Sequence, residues 1–243
     1  MDKNEKSIKS EILNKEIKFA VYGHYGFAML MFPATTDDYL ENETIGFIDT
    51  LKPYIEKGKC TVFSVETVNL ESWLSTDKNP VEKSKRHYEY NQFVINELLP
   101  QIFGICGGPV PVITCGAAMG AYHAANNYFR RPDILYGVIA MSGIYNIQLF
   151  SKDFFDDNCY FNSPIHYLPN LADEYWLSFL RNKHHVHLLS GTGENEHPEY
   201  LSHISEILNF KAIPHNADFW GKEWGHNPET WNAMLQKIIE TKM

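Results

Sequence analysis

Pro111-Val112-Ile113-Thr114-Cys115-Gly116-Ala117-Ala118-Met119-Gly120-Ala121-Tyr122-His123-Ala124-Ala125-Asn126-Asn127 is the stretch that decides the fold. Pro111 to Cys115 is apolar and β-branched, as a buried strand requires. Gly116, Ala117 and Ala118 then form a sharp turn. An Ala-rich helix follows and ends near Arg130-Arg131-Pro132. Gly116 and Gly120 stand two before and two after Ala118, the spacing of a nucleophile elbow, G-x-S-x-G. Small residues there let strand and helix pack closely while the central residue sits strained and exposed above the sheet. The central residue in this chain is Ala118, whose methyl group carries no nucleophilic atom.

On both sides of this stretch, short apolar runs alternate with helical patterns. Ile17 to Tyr22, Phe27 to Phe32, Cys60 to Val65, Gly137 to Met141 and His185 to Ser190 read as strands, and Asp218-Phe219-Trp220 ends a last one. Ile45, Ile48, Leu51 and Ile55 recur at helical spacing over residues 43–57, with Gly58 as the stop. Pro53 inside that run threatens a kink. The segment from Val68 to Ser84 reads as loop, and Lys85 to Leu99 as a helix that stops or kinks at Pro100. Tyr200 to Lys211 is a further helix. Asn227 is a candidate N-cap and Pro228 an N1 residue for the final one. Strands apolar on both faces, alternating with helices, predict an α/β fold with a mainly parallel central sheet covered on both faces. Residues 1–14 read as a flexible polar lead. Residues 144–181, rich in Phe, Tyr, Asp, Asn and Pro, read as a small inserted, cap-like excursion, within a single domain over 1–243.

The bulk properties narrow the function. The chain has 243 residues, 21 Lys and Arg against 30 Asp and Glu, and a formal charge of −9. Such an acidic chain is a poor partner for nucleic acid or an anionic membrane surface. No apolar run approaches a membrane span. The N-terminus lacks a signal-peptide core. Cys60, Cys106, Cys115 and Cys159 show no metal or redox spacing and read as free thiols, so the expected location is the cytoplasm. His184, His185 and His187 cluster without an apparent third ligand, and no metal or cofactor is expected. His24 reads as a turn residue, His123 as structural, and Cys115 as a buried thiol.

After the elbow come two carboxylates in Gly191-Thr192-Gly193-Glu194-Asn195-Glu196, behind a strand, and then His226 in a loop before the last helix. Nucleophile, acid, histidine is the chain order of the α/β-hydrolase triad. A serine hydroxyl needs a base to take its proton; an imidazole serves near neutral pH, and a carboxylate fixes its tautomer.

Tyr22-Gly23-His24, Phe32-Pro33, Glu71-Ser72-Trp73, the elbow with Tyr-His-Ala-Ala-Asn behind it, and Asp218-Phe219-Trp220-Gly221 followed by His226 carry a resemblance. From about Phe19 onward the chain resembles the esterases of the α/β-hydrolase superfamily, the group that includes esterase D-like enzymes. The resemblance implies hydrolysis of a small-molecule carboxylic ester through an acyl-enzyme. Ala118 stands at the nucleophile serine position and His226 at the base. The acid falls on Glu196, favoured, or on Glu194. The oxyanion donors fall on the backbone N–H of Met119 and on the loop after Pro33, at Thr35 within Ala34 to Thr36. Two accounts of Ala118 compete: a serine-to-alanine replacement in a working esterase, and a natural inactive relative that binds an ester-like ligand or a protein. Persistence of the remaining machinery favours the first. Acyl transfer to an alcohol would use the same triad.

Overall fold

The computed structural model describes residues 1–183 and 185–243. Among them, eight strands form one sheet: β1 (Lys3–Ser10), β2 (Lys15–Tyr22), β3 (Phe27–Phe32), β4 (Cys60–Val65), β5 (Val112–Ala117), β6 (Gly137–Met141), β7 (His185–Ser190) and β8 (Asn216–Phe219). Their order is β1-β2-β4-β3-β5-β6-β7-β8. From β4 to β8 every pairing is parallel; β1 with β2 and β2 with β4 are antiparallel.

The double covering follows from the period of two along each strand. Leu30 and Phe32 of β3 join Phe63, Val112 and Val138 in a core on one face. Met29 and Met31 join Val62, Ile113, Cys115 and Ile139 on the other. The final helix, Pro228–Lys242, closes the second core through Trp231, Met234 and Leu235. Its entry is held by Asn227, whose side chain accepts from the Thr230 N–H at 3.0 Å.

Three local expectations give way. The polar lead is instead largely strand β1, paired with β2 over its whole length. An edge strand needs only one backbone ladder, so its side chains can stay in water, and charged edges discourage further pairing. Lys3 ties it down by meeting Glu43 at 2.7 Å. The helix expected over 43–57 is split by Gly46 (φ +92°) into Glu41–Thr44 and Phe47–Glu56, and Pro53 stays inside the second piece. The helix expected from Lys85 starts earlier, at Pro80, on an Asn79–Glu82 capping box. That helix does not stop at Pro100. A π turn at Val94–Leu98 precedes Leu99–Ile105, and such a widened turn absorbs a residue that cannot donate an N–H.

Residues 144–181 carry four short helices, Gln148–Ser151, Asp157–Phe161, Pro164–Asn170 and Glu174–Arg181. Asn162 fastens this excursion to the body. Its Oδ1 accepts from Asn91 at 2.5 Å, Asn126 at 2.8 Å and Arg130 at 3.1 Å, and its carbonyl accepts from the Tyr122 hydroxyl at 2.9 Å.

Candidate active site

The elbow is sharp and strained. Ala118 has φ +49° and ψ −116°, a region costly for any residue with a Cβ, and its N–H is held by the Met141 carbonyl at 3.0 Å. The helix Met119–Arg130 starts at the next residue. Both flanking glycines are sterically required. A Cβ on Gly116 would lie 2.4 Å from the Gly120 carbonyl carbon, and one on Gly120 would lie 2.4 Å from the Phe32 carbonyl oxygen. The tight spacing seen in the sequence is therefore the spacing at which β5, its helix and the end of β3 touch.

Ala118 faces a cavity of about 450 Å³ at the carboxyl end of the parallel strands. Ser142, Glu196 and His226 line it with Ala118, and Leu74, Met119, Ile144, Leu149 and Phe150 supply an apolar wall. The last three come from the excursion, so that segment shapes the cavity. His197 and Tyr200 stack at 5.1 Å and also line it.

Glu196 is sealed, its side chain 1% exposed. Its carboxylate accepts from the Ser142 hydroxyl at 2.5 Å and from the Ser190 hydroxyl at 3.0 Å. His226 Nδ1 stands 3.8 Å from Glu196 Oε1, within ion-pair range but longer than a hydrogen bond. Burial opposes ionisation of Glu196, yet His226, Ser142 and Ser190 outweigh it and hold its carboxyl below the usual range. The His226 ring meets Trp231 edge to face at 5.1 Å, and the backbone N–H of His226 donates to the Glu194 carbonyl at 2.9 Å. Glu194 thus contributes its backbone, while its side chain lies in the exposed part of the loop and outside the cavity lining.

The loop after β3 is arranged differently from expectation. The Met119 N–H donates to the Ala34 carbonyl at 3.1 Å. The Thr35 N–H donates to both Glu41 carboxylate oxygens at 3.1 Å, and the Thr36 N–H to Oε2 at 3.0 Å. The hydroxyls of Thr35 and Thr36 join the same carboxylate. Both backbone donors expected to serve an oxyanion are bonded within the protein.

Of the other singled-out residues, His24 is exposed, does not line this cavity, and lies 3.8 Å from Asp2. His123 is buried against Phe32 and Tyr90, with Nε2 at 2.8 Å from Asn69 Oδ1; burial lowers its pKa to about 3. Burial pushes the Cys115 thiol up, away from a reactive thiolate. His184 lies outside the described residues; His185 and His187 have ring centroids 6.0 Å apart, and no group of three potential metal ligands occurs among the described residues. No described helix is long and apolar enough to cross a membrane. Sequence reasoning missed Glu41, Ser142 and Ser190. A polar residue just past or at the end of a buried parallel strand was the available signal for the two serines.

Sheet order, strained elbow and cavity at the carboxyl strand ends define an α/β-hydrolase fold. The structure is similar to that of a ferulic acid esterase at 18% identity (TM-score 0.70; 97% of this chain and 95% of that one). It is also similar to an S-formylglutathione hydrolase from Agrobacterium tumefaciens at 14% identity (TM-score 0.71; 98% and 93%). A third similar structure is the Staphylococcus aureus fluorophosphonate-binding serine hydrolase F, at 14% identity (TM-score 0.63; 98% and 97%). No protein-family model matches the chain, and neither does any curated protein sequence.

Proposed function

We propose that this site is that of a serine carboxylic-ester hydrolase whose nucleophile position is occupied by alanine. The observation that carries the proposal is the strained residue 118 facing a cavity lined by both His226 and a sealed, serine-held Glu196. Alanine has no need of φ +49°; the elbow earns its strain only by presenting a side chain to a reaction. With Nδ1 turned to Glu196, the imidazole keeps Nε2 for the residue at 118. Glu196, not Glu194, is then the acid. The ferulic acid esterase, the S-formylglutathione hydrolase and the serine hydrolase of similar structure support the same class. The substrate class is a small-molecule ester with a partly apolar acyl or aryl group, by the Leu149 and Phe150 wall. The four cysteines are free, which suits a reducing compartment, the cytoplasm.

As written, the chain is expected to be inert, because loss of the serine from such a triad costs about a millionfold in kcat. The test is Ala118→Ser, assayed with p-nitrophenyl esters of graded acyl length and, independently, by covalent labelling with a fluorophosphonate. Labelling and turnover in the variant, with neither in the unaltered chain, is the expected result. Turnover by the unaltered chain would refute the assignment of residue 118.

One observation favours a second reading, a natural ligand-binding relative without catalysis: the N–H groups of Met119 and Thr35 are already engaged. On that reading Ala118→Ser stays folded, unlabelled and inactive.

A further inference from the structure

Arg130 ends the elbow helix, twelve residues on from Ala118, and is a part-buried cation with no acidic partner among the described residues. Its Nη1 donates to Asn162 Oδ1 at 3.1 Å, an amide oxygen already shared with Asn91 and Asn126. Among the described residues no carboxylate pairs with it. The adjacent Arg131, by contrast, is satisfied by Asp133 through two bonds of 2.8 Å. A guanidinium offers five N–H donors, and leaving it partly desolvated without an acidic partner is costly. Its place at a helix C-terminus offsets part of that cost.

A second cavity of about 250 Å³ opens onto this group. It lies between the elbow helix and the excursion and shares no lining residue with the cavity at Ala118. Its walls include Phe129, Tyr160, Phe161, Tyr167 and Trp176, and no acidic residue lines it. Two of its polar groups are spent: the Tyr167 hydroxyl donates to Asn126 Oδ1, and the Asn170 amide donates to the Tyr160 hydroxyl and to the His166 carbonyl. The Tyr160 hydroxyl accepts from Asn170, so its own proton remains to be donated. The donors left to a ligand in this aromatic slot are the Arg130 guanidinium, the Tyr160 hydroxyl and the Trp176 indole N–H.

We infer that this slot is a binding site for a small planar aromatic carboxylate, with the carboxylate on Arg130 and Tyr160 and the ring against Phe161 and Trp176. A carboxylate matches the planar fork of a guanidinium with two parallel hydrogen bonds, and aromatic walls favour a flat ring. The inference is independent of what happens at residue 118.

The probe is 2-naphthoate, with 2-naphthamide as its uncharged isostere, titrated into the full chain by calorimetry and Trp fluorescence. Saturable 1:1 binding of the carboxylate, at least about tenfold tighter than the amide, is expected. Arg130→Met keeps the aliphatic bulk and should weaken 2-naphthoate about tenfold or more. Should Arg130→Met fail to fold, Trp176→Ala, at a half-exposed wall, must weaken binding instead. Phe150→Ala, in the other cavity, must leave it unchanged. Absence of saturable binding, equal binding of the amide, or loss of binding on Phe150→Ala alone would overturn the assignment.

Discussion

Glu196→Gln isolates the charge in the sealed part of the candidate site. The substitution keeps volume and shape, so no cavity opens. What changes is hydrogen bonding. The carboxylate accepts from Ser142 at 2.5 Å and Ser190 at 3.0 Å, and an amide retains one acceptor oxygen. One serine hydroxyl then faces an NH2 group and loses a charge-assisted bond worth about 1.5–3 kcal/mol. Part of this is offset because the buried charge, itself opposed by desolvation, is gone. The net expectation is a loss of about 1–3 kcal/mol at pH 7. The pH dependence gives the sharper test. The folded-state pKa of Glu196 is depressed, so the folded state binds its proton less readily than the unfolded chain does. The stability it contributes is present above its ordinary value near 4.5 and is lost as pH falls through the folded value. Urea denaturation of both proteins at pH 7 and at successively lower pH should show the gap closing in acid. A variant as stable as the parent at pH 7, or a gap constant with pH, would refute the claim that Glu196 is held ionised.

Two other outcomes follow from the same structure. His87 and His123 are buried with pKa values lowered by desolvation, His123 to about 3, so the unfolded chain binds more protons than the folded one as pH drops below about 6.5. The urea midpoint should therefore fall between pH 7 and pH 5, and His123→Gln should flatten that slope; an unchanged slope would place these imidazoles in water. Gly120→Ala pushes a methyl group to 2.4 Å from the Phe32 carbonyl oxygen and 2.8 Å from that of Pro33, both backbone atoms that cannot swing away. A loss of about 2 kcal/mol or more is expected in thermal or urea unfolding, and a neutral effect would mean that β3 and the elbow helix are looser than described.

The elbow was legible because its information is local. Two glycines four positions apart can serve only one close strand–helix packing, and Ala118 between them inherits a positive φ from that packing. The start of the last helix was legible for the same reason, through Asn227 and Pro228. Strand β1 was not, since its pattern of charges is also that of an unpaired tail and only the partner strand distinguishes them. The helix past Pro100 was legible only as a stop or a kink, because a π turn is a response to neighbours rather than a propensity of Val94 to Leu98.

By itself, the sequence determined the chain order of elbow, paired carboxylates and histidine, the alternation of apolar runs with helical patterns, and the absence of a nucleophilic atom at 118. It left Glu194 and Glu196 nearly equivalent, two positions apart in one loop. Only the tertiary structure separated their surroundings, by bringing Ser142 from 54 residues away onto Glu196 and leaving the Glu194 side chain in the exposed part of the loop. Likewise, no local pattern could have revealed that Glu41 draws Thr35 and Thr36 to itself or that Arg130 meets no acid among the described residues. Hydrogen bonding and ion pairing of buried groups depend on which distant segments are folded against them, and those distances exist only once the sheet is assembled.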